Sequence, residues 1–393
     1  MAYTTSKSVL IDERDFFIKS NSYDSTTTHS NEIKITASDG AVDDEFGFSV
    51  AVGSGRIVVG STYDDNANGT DSGAAYVFDF LGNQLLKLIP GDVSADGQFG
   101  VSVAIGSGRI VVTATGEAAI YIFDLNGSLI KRATASDLVA GQLFGWRVAI
   151  GSGRIVVGSP QDTTNGTDAG AAYIFDLDGN QIAKILASDG AAGDSFGISV
   201  GAGSGRIIVG AWRNDDNGTD SGSAYIFDLD GNEITKIIAS DAAADDRFGI
   251  SVAAGSGRII VAAYLNDDAG SASGSAYIFD LDGNEITKIV ASDAVGGDGF
   301  GVSVAIGSGR IVVGAFGVDD NGSASGSAYV FDLDGNQLSK ILASDGATED
   351  YFGADVAVGS GRIVIGSFGS NSSTGAAYIY TTPTQKHFLD QLD

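Results

Sequence analysis

One stretch of about fifty residues is written seven times along this chain. Its clearest copy runs from Phe196 to Asp241, FGISVGAGSGRIIVGAWRNDDNGTDSGSAYIFDLDGNEITKIIASD. The Phe-Gly pairs that open the copies stand at Phe46, Phe99, Phe144, Phe196, Phe248, Phe300 and Phe352, spaced 53, 45, 52, 52, 52 and 52 residues apart. A fixed period of this length means repeated structural units, none of which can bury its apolar surfaces alone. Within the copy, alternation and turn chemistry mark four strands: Ile198 to Val200, Arg206 to Gly210, Ser223 to Phe227 and Glu233 to Ile238. Gly203-Ser204-Gly205 and Asp230-Gly231 supply the tight turns, where glycine tolerates positive φ. Fifty-seven glycines, three prolines and many Val, Ile, Tyr and Phe fit short strands and argue against helices.

Four antiparallel strands per period make one propeller blade. A lone blade leaves both faces uncovered, so neighbours must stack and the row must close to remove its edges. The seventh copy stops after its third strand at Tyr378-Ile379-Tyr380, while Glu32 to Ser38, EIKITAS, reads like Glu233 to Ser240, EITKIIAS. The expected fold is therefore all-β: a seven-bladed β-propeller of four-stranded antiparallel blades, its ring closed by an N-terminal strand completing the last blade. Residues 1–30 are expected to form an arm or attachment segment, 31–380 the propeller and 381–393 a tail, with Phe388, Leu389 and Leu392 at roughly helical spacing.

Composition narrows the function. A formal charge of −28 repels phosphate backbones and anionic membranes, so nucleic acid is not an expected partner. No apolar run approaches the roughly 18 residues of a membrane span, and membrane insertion is not expected. The N-terminal residues MAYTTSKSVLIDERDFF lack the apolar centre of a secretory signal peptide. Cysteine is absent, and the two histidines, His29 and His387, lie outside the repeats. Catalysis has little to stand on, although paired acids of the glycosidase kind abound.

The linked motifs Asp-Gly-x-x-x-Asp-x-Phe-Gly, Ser-Val-Ala, Val156 to Pro160 (VVGSP) and Gly-x-Ala-Tyr-x-Phe resemble the FG-GAP repeat family across about residues 31 to 380. That family includes the seven-bladed head of integrin α subunits and many bacterial, archaeal and viral surface proteins. The resemblance implies adhesion or recognition without catalysis. It also implies a departure, because integrin-type blades carry an Asp-rich calcium loop between their first and second strands. Here that connection is Gly-Ser-Gly-Arg in all seven copies, without a carboxylate for a hard cation.

Carboxylates gather elsewhere. Propeller geometry sends the second-to-third strand loops and the connections between blades to one face. That face receives Asp64, Asp65 and Asp71; Asp162 and Asp168; Asp215, Asp216 and Asp220; Asp267 and Asp268; and Asp319 and Asp320. It also receives pairs flanking each Phe-Gly, such as Asp39 with Asp44 and Asp189 with Asp194. These acids suit calcium, held by several oxygens. They equally suit turns, because Asx side chains bond their own backbone. At the base of the loops stand Trp212, Tyr264, Phe316 and Phe368, with Arg213 beside the first. Such rings suit stacking on sugars, or packing against the neighbouring blade. On the opposite face Arg56, Arg109, Arg154, Arg206, Arg258, Arg310 and Arg362 are expected to pair with the aspartates ending their own third strands, such as Asp79 and Asp228. The second copy, with the short loop TATGEAA, and the third, with Trp146-Arg147 after Phe-Gly, break the ring's symmetry.

The expected function is a non-enzymatic recognition or structural module on a virion, as a phage tail or capsid appendage mediating attachment. Its expected partners are other virion or surface proteins, met through the N-terminal arm, and a cell-surface glycan or protein. A secreted bacterial or archaeal adhesin is the alternative, and a polysaccharide-active enzyme a further one.

Overall fold

The computed structural model describes residues 31–382; the expected arm, residues 1–30, and the tail beyond residue 382 lie outside the described residues. Seven four-stranded antiparallel sheets follow one another around a ring. In blade 4 the strands are Ser199–Gly203, Arg206–Ala211, Ser223–Phe227 and Glu233–Ile237, within a residue of the boundaries expected from alternation except that the first runs on to Gly203 instead of ending at Val200. Among the described residues, helix is confined to one turn, Ser370–Ser373, in the last blade.

Each blade interface is its own apolar core. Val156, Ile174 and Ile185 of blade 3 meet Phe196, Val209, Tyr225 and Phe227 of blade 4 in one buried cluster. Phe196 stands edge-on to Tyr225 at 5.4 Å and to Phe227 at 6.0 Å, and is fully buried. Its N–H donates to the Ala169 carbonyl of blade 3 at 2.9 Å, so the opening residue of one blade is tied to the previous one. The glycine that follows is required. Gly197 has φ +93°, and a Cβ there would lie 2.2 Å from the Ala171 carbonyl oxygen.

The closure is built like every other interface. Ile33–Ile35 forms the outer strand of the last blade, pairing antiparallel with Ala376–Thr381 in the register Ile33↔Ile379. Ile35, Val364 and Ile379 of that blade pack on Phe46, Val59 and Tyr76 of blade 1. Outer strands are also stapled by the Ser of the Ala-Ser-Asp connection: Ser240 Oγ donates to Glu285 at 2.9 Å, and across the closure Ser344 Oγ donates to Glu32 at 2.6 Å.

The first strands line a central channel. Val50, Val103, Val148, Val200, Val252, Val304 and Val356, one per blade, ring it, and all but Val148 border both halves. Above this valine ring lies a polar chamber of about 390 Å³ bordered by serines; below it an apolar funnel of about 210 Å³ is lined by alanine, valine and isoleucine.

Candidate functional site: the loop face and channel mouth

On the loop face the acids are not a bare anionic field. In blade 1, Lys87 of the outer strand stands opposite Tyr76 in the ladder and lies over its ring, 5.1 Å from the centroid. Its ammonium pairs with Asp39, from the connection between blades, at 2.8 Å and with Asp64, from the second-to-third strand loop, at 2.9 Å. The Tyr76 hydroxyl donates to both carboxylates, at 3.0 and 2.6 Å. The two kinds of loop therefore do meet on one face, with a lysine between them.

The device recurs. Lys184 holds Asp137 and Asp162; Lys236 holds Asp189 and Asp216; Lys288 holds Asp241 and Asp268; Lys340 holds Asp293 and Asp320. In the last blade Lys34, supplied by the N-terminal strand, pairs with Asp345 at 2.7 Å. Blade 2 keeps the logic with other residues: Arg132 lies over Tyr121 and faces Asp92 at 3.4 Å and Glu117 at 3.6 Å. Burial opposes ionisation of Asp39, Asp189 and Asp241, but bonds from lysine and tyrosine outweigh it and hold these carboxyls below the usual range. The lysines were in plain view in the sequence, fourth in the outer strand of five blades and second in Ile33–Ile35. Only the register, which sets each opposite a tyrosine, shows what they do.

Four of the remaining candidate calcium ligands are occupied by backbone. Asp65 accepts from the Asp71 N–H at 2.9 Å, and Asp215 from the Asp220 N–H at 2.8 Å. Asp267 and Asp319 accept from Ala272 and Ala324 in the same way. Asp71 and Asp220 adopt positive φ, 52° and 50°, the left-handed geometry that Asx residues tolerate. Among the described residues, no three or more His, Cys, Asp or Glu groups are set to hold a metal ion. The second acid of each Phe-Gly pair has another task. Asp194 is buried, caps its turn by accepting from the Ala191 N–H at 2.9 Å, and is pushed above its ordinary pKa by burial.

The aromatics Trp212, Tyr264, Phe316 and Phe368 are half-buried and interleave with side chains that the sequence reading missed. Arg213 and Arg247 lie over the Trp212 ring at 4.5 and 4.4 Å, and Arg247 donates to the Tyr264 hydroxyl at 2.8 Å. Tyr351 stacks on Phe368 at 5.2 Å with 15° between planes, and Phe48 closes on Phe368 at 5.9 Å. Phe316 meets Tyr351 at 6.2 Å. Arg247 and Tyr351 both precede a Phe-Gly, a place in the motif where the residue type varies freely, from Glu45 to Gly299. The result is an arc of rings and guanidinium groups running from blade 4 round to blade 1, and Tyr264, Phe316 and Phe48 also border the channel mouth.

Three arginines of the opposite face reach past their own blades to the next. Arg109 reaches the next blade, donating to the Leu177 carbonyl at 3.1 Å and facing Asp178 at 3.3 Å; Arg154 and Arg206 repeat this with Leu229 and Asp230, and with Leu281 and Asp282. Arg362 lies over Phe80 of blade 1, across the closure. The aspartates expected as partners instead close their own turns: both oxygens of Asp228 accept from Asn232, by its backbone and its side chain. An Asx turn satisfies the carboxylate locally, and the long arginine is freed to staple the neighbouring blade.

A family model described as FG-GAP repeat matches residues 29–78, 127–175, 180–227, 232–279, 284–331 and 336–380. Each matched unit runs from an outer strand to the third strand of the next blade, and the interval passed over, 79–126, is the aberrant second copy. No curated protein matches the chain.

Proposed function

The chain belongs to the FG-GAP repeat family, and from that premise we propose that it is a non-enzymatic recognition module whose contact surface is the loop face from blade 4 to blade 1. The observation that carries this is the arc itself. Two arginines, Trp212 and Tyr264 lie together on the loop face, Tyr264 at the mouth of the channel, on a ring where lysines hold many of the loop-face acids in pairs. Aromatic and arginine side chains are the commonest anchors of binding surfaces, and the Trp212 indole N–H is buried without a partner among the described residues. The family is generally non-enzymatic, and here the acids recur as lysine partners and turn caps in most blades instead of standing out in one.

The setting we propose is a virion, with the ring as a tail or capsid appendage carried by the N-terminal arm and a cell-surface glycan or protein as the target. A closed, edge-free ring with a unique segment at one end suits such an attachment role. Two experiments test the reading. Trp212→Ala abolishes target binding without lowering the melting temperature if the arc is a contact surface; lost stability with unchanged binding places Trp212 in blade packing only. Mass spectrometry of purified virus particles finds the protein in them, whereas finding it only on cells favours the adhesin.

A further inference from the structure

Two residues after each Phe-Gly the first strand enters the channel. Five blades carry serine there, blade 3 carries Arg147 and blade 7 carries Asp355. The serines join neighbouring first strands: Ser199 Oγ donates to the Gly249 carbonyl at 2.7 Å, and Ser251 Oγ accepts from the Val304 N–H at 3.0 Å. Asp355 does the same across the closure, accepting from the Val50 N–H at 2.8 Å and from Ser303 Oγ at 2.9 Å. Arg147 joins nothing. Its side chain borders the upper chamber, lies over the Trp146 ring at 5.4 Å, and makes one hydrogen bond among the described residues, from Nη1 to the Trp146 carbonyl at 3.2 Å. The other guanidinium donors face the chamber unpartnered, although Asp355 lies close enough for its charge to be felt. Arg147 is half-buried, and its guanidinium presents these donors to whatever occupies the chamber.

We propose that the upper chamber binds an acidic monosaccharide unit, its carboxylate held by Arg147 and its hydroxyls by Asp355 and the serine ring. The planar guanidinium fork matches a carboxylate with two parallel bonds. A volume of about 390 Å³ is at the small end of ligand pockets, suited to one sugar and not to a chain. Phe48, Tyr264 and Phe316 at the mouth offer apolar faces to the C–H side of a pyranose, and the valine ring closes the floor. The net charge of −28 disfavours multiply charged anions, leaving a single carboxylate as the fitting charge. This rests on the loop face being the recognition surface and names what its centre selects.

The test uses the full chain and D-glucuronate, followed by calorimetry and by tryptophan fluorescence, since Trp146 beside Arg147 is one of only two tryptophans. The structure predicts saturable binding, at least tenfold weaker for D-glucose and for acetate, and at least a tenfold loss in Arg147→Ser. That variant carries the residue five blades already have, so an unchanged melting temperature certifies its fold; Arg147→Lys serves if it does not, and should recover only part of the affinity. Glucuronate binding unchanged by Arg147→Ser overturns the proposal, as does acetate binding as tightly as glucuronate. If glucuronate does not bind while the protein still holds surfaces in a Trp212-dependent manner, the chamber proposal falls and the loop-face reading stands.

Discussion

Lys184→Met removes the cation from the most buried of the lysine clamps. Lys184 pairs with Asp137 at 2.7 Å and with Asp162 at 2.8 Å, donates a third bond to Thr164 Oγ1 at 2.7 Å, and lies 5.3 Å above the Tyr173 ring. Asp162 has a side-chain exposure of 0%, against 48% for Asp137, so the two pairs are not equal. The exposed pair is worth under about 1 kcal/mol after screening, and the cation–π contact about 0.5–1 kcal/mol. Stranding Asp162 dominates: breaking a buried pair from one side costs about 3–5 kcal/mol. Its remaining bonds to Tyr173 and the Thr164 N–H temper this, and a total of about 2–4 kcal/mol is expected. Urea unfolding of the two proteins measures it. The pH dependence gives the sign. In the native protein burial is overcome by bonds from Lys184 and Thr164, and the Asp162 carboxyl sits below its ordinary range. Its contribution is therefore present above about pH 4, where the unfolded carboxyl ionises, and is lost as pH falls through the depressed folded value. Without the lysine, burial pushes the carboxyl up. The variant's deficit must then shrink as the medium is acidified and Asp162 takes a proton. A deficit under about 0.5 kcal/mol at pH 7, or one that grows on acidification, refutes the clamp as a source of stability.

Calcium chelation should leave the melting temperature unchanged, because Asp64, Asp216, Asp268 and Asp320 hold lysines; a fall of several degrees, restored by calcium, contradicts this. Ile35→Asp buries a carboxylate in the closure core and should cost about 3 kcal/mol or more in urea unfolding, whereas Thr36→Asp, on the exposed side of that segment, should cost under about 0.5 kcal/mol. Burial raises the pKa of Asp44, Asp194, Asp246, Asp298 and Asp350, so their contribution is greatest at low pH and is lost as pH rises through the folded values. Melting temperature should therefore climb as pH is lowered through these raised values and fall below about pH 4, where the clamp aspartates lose their charge; Asp194→Asn should flatten the climb.

Much of the ring could be read from the chain because one period carries a blade and its turns, and because EIKITAS and EITKIIAS differ by so little. Strand boundaries in blade 4 and the closure at Ile33–Ile35 follow from that alone. Side-chain partnerships across blades could not be read so easily. Arg154 and Asp176 end neighbouring strands and look like a pair, yet Asp176 is satisfied within its own turn and Arg154 reaches Asp230. Lys236 is an ordinary strand lysine until register sets it against Tyr225. Arg247 and Tyr351 escaped notice because they sit at the variable position of the motif, although their place between Trp212 and Tyr264, or between Phe316 and Phe368, shapes the candidate site. Asp355 carried a signal that went unread, as the lone acid in a column of serines. The arm, residues 1–30, and the tail from residue 383 lie outside the described residues.

The measurement that bears most directly on recognition through the loop face compares the two faces of the ring in one binding assay. Labelled protein is applied to an array of surface glycans and to whole cells, beside Trp212→Ala with Arg247→Ala on the loop face and Leu81→Glu, an exposed turn residue on the opposite face. Binding lost in the loop-face variant and kept in the opposite-face variant, with both folded, is the predicted result. Binding that survives the loop-face change and is lost with Leu81→Glu contradicts it.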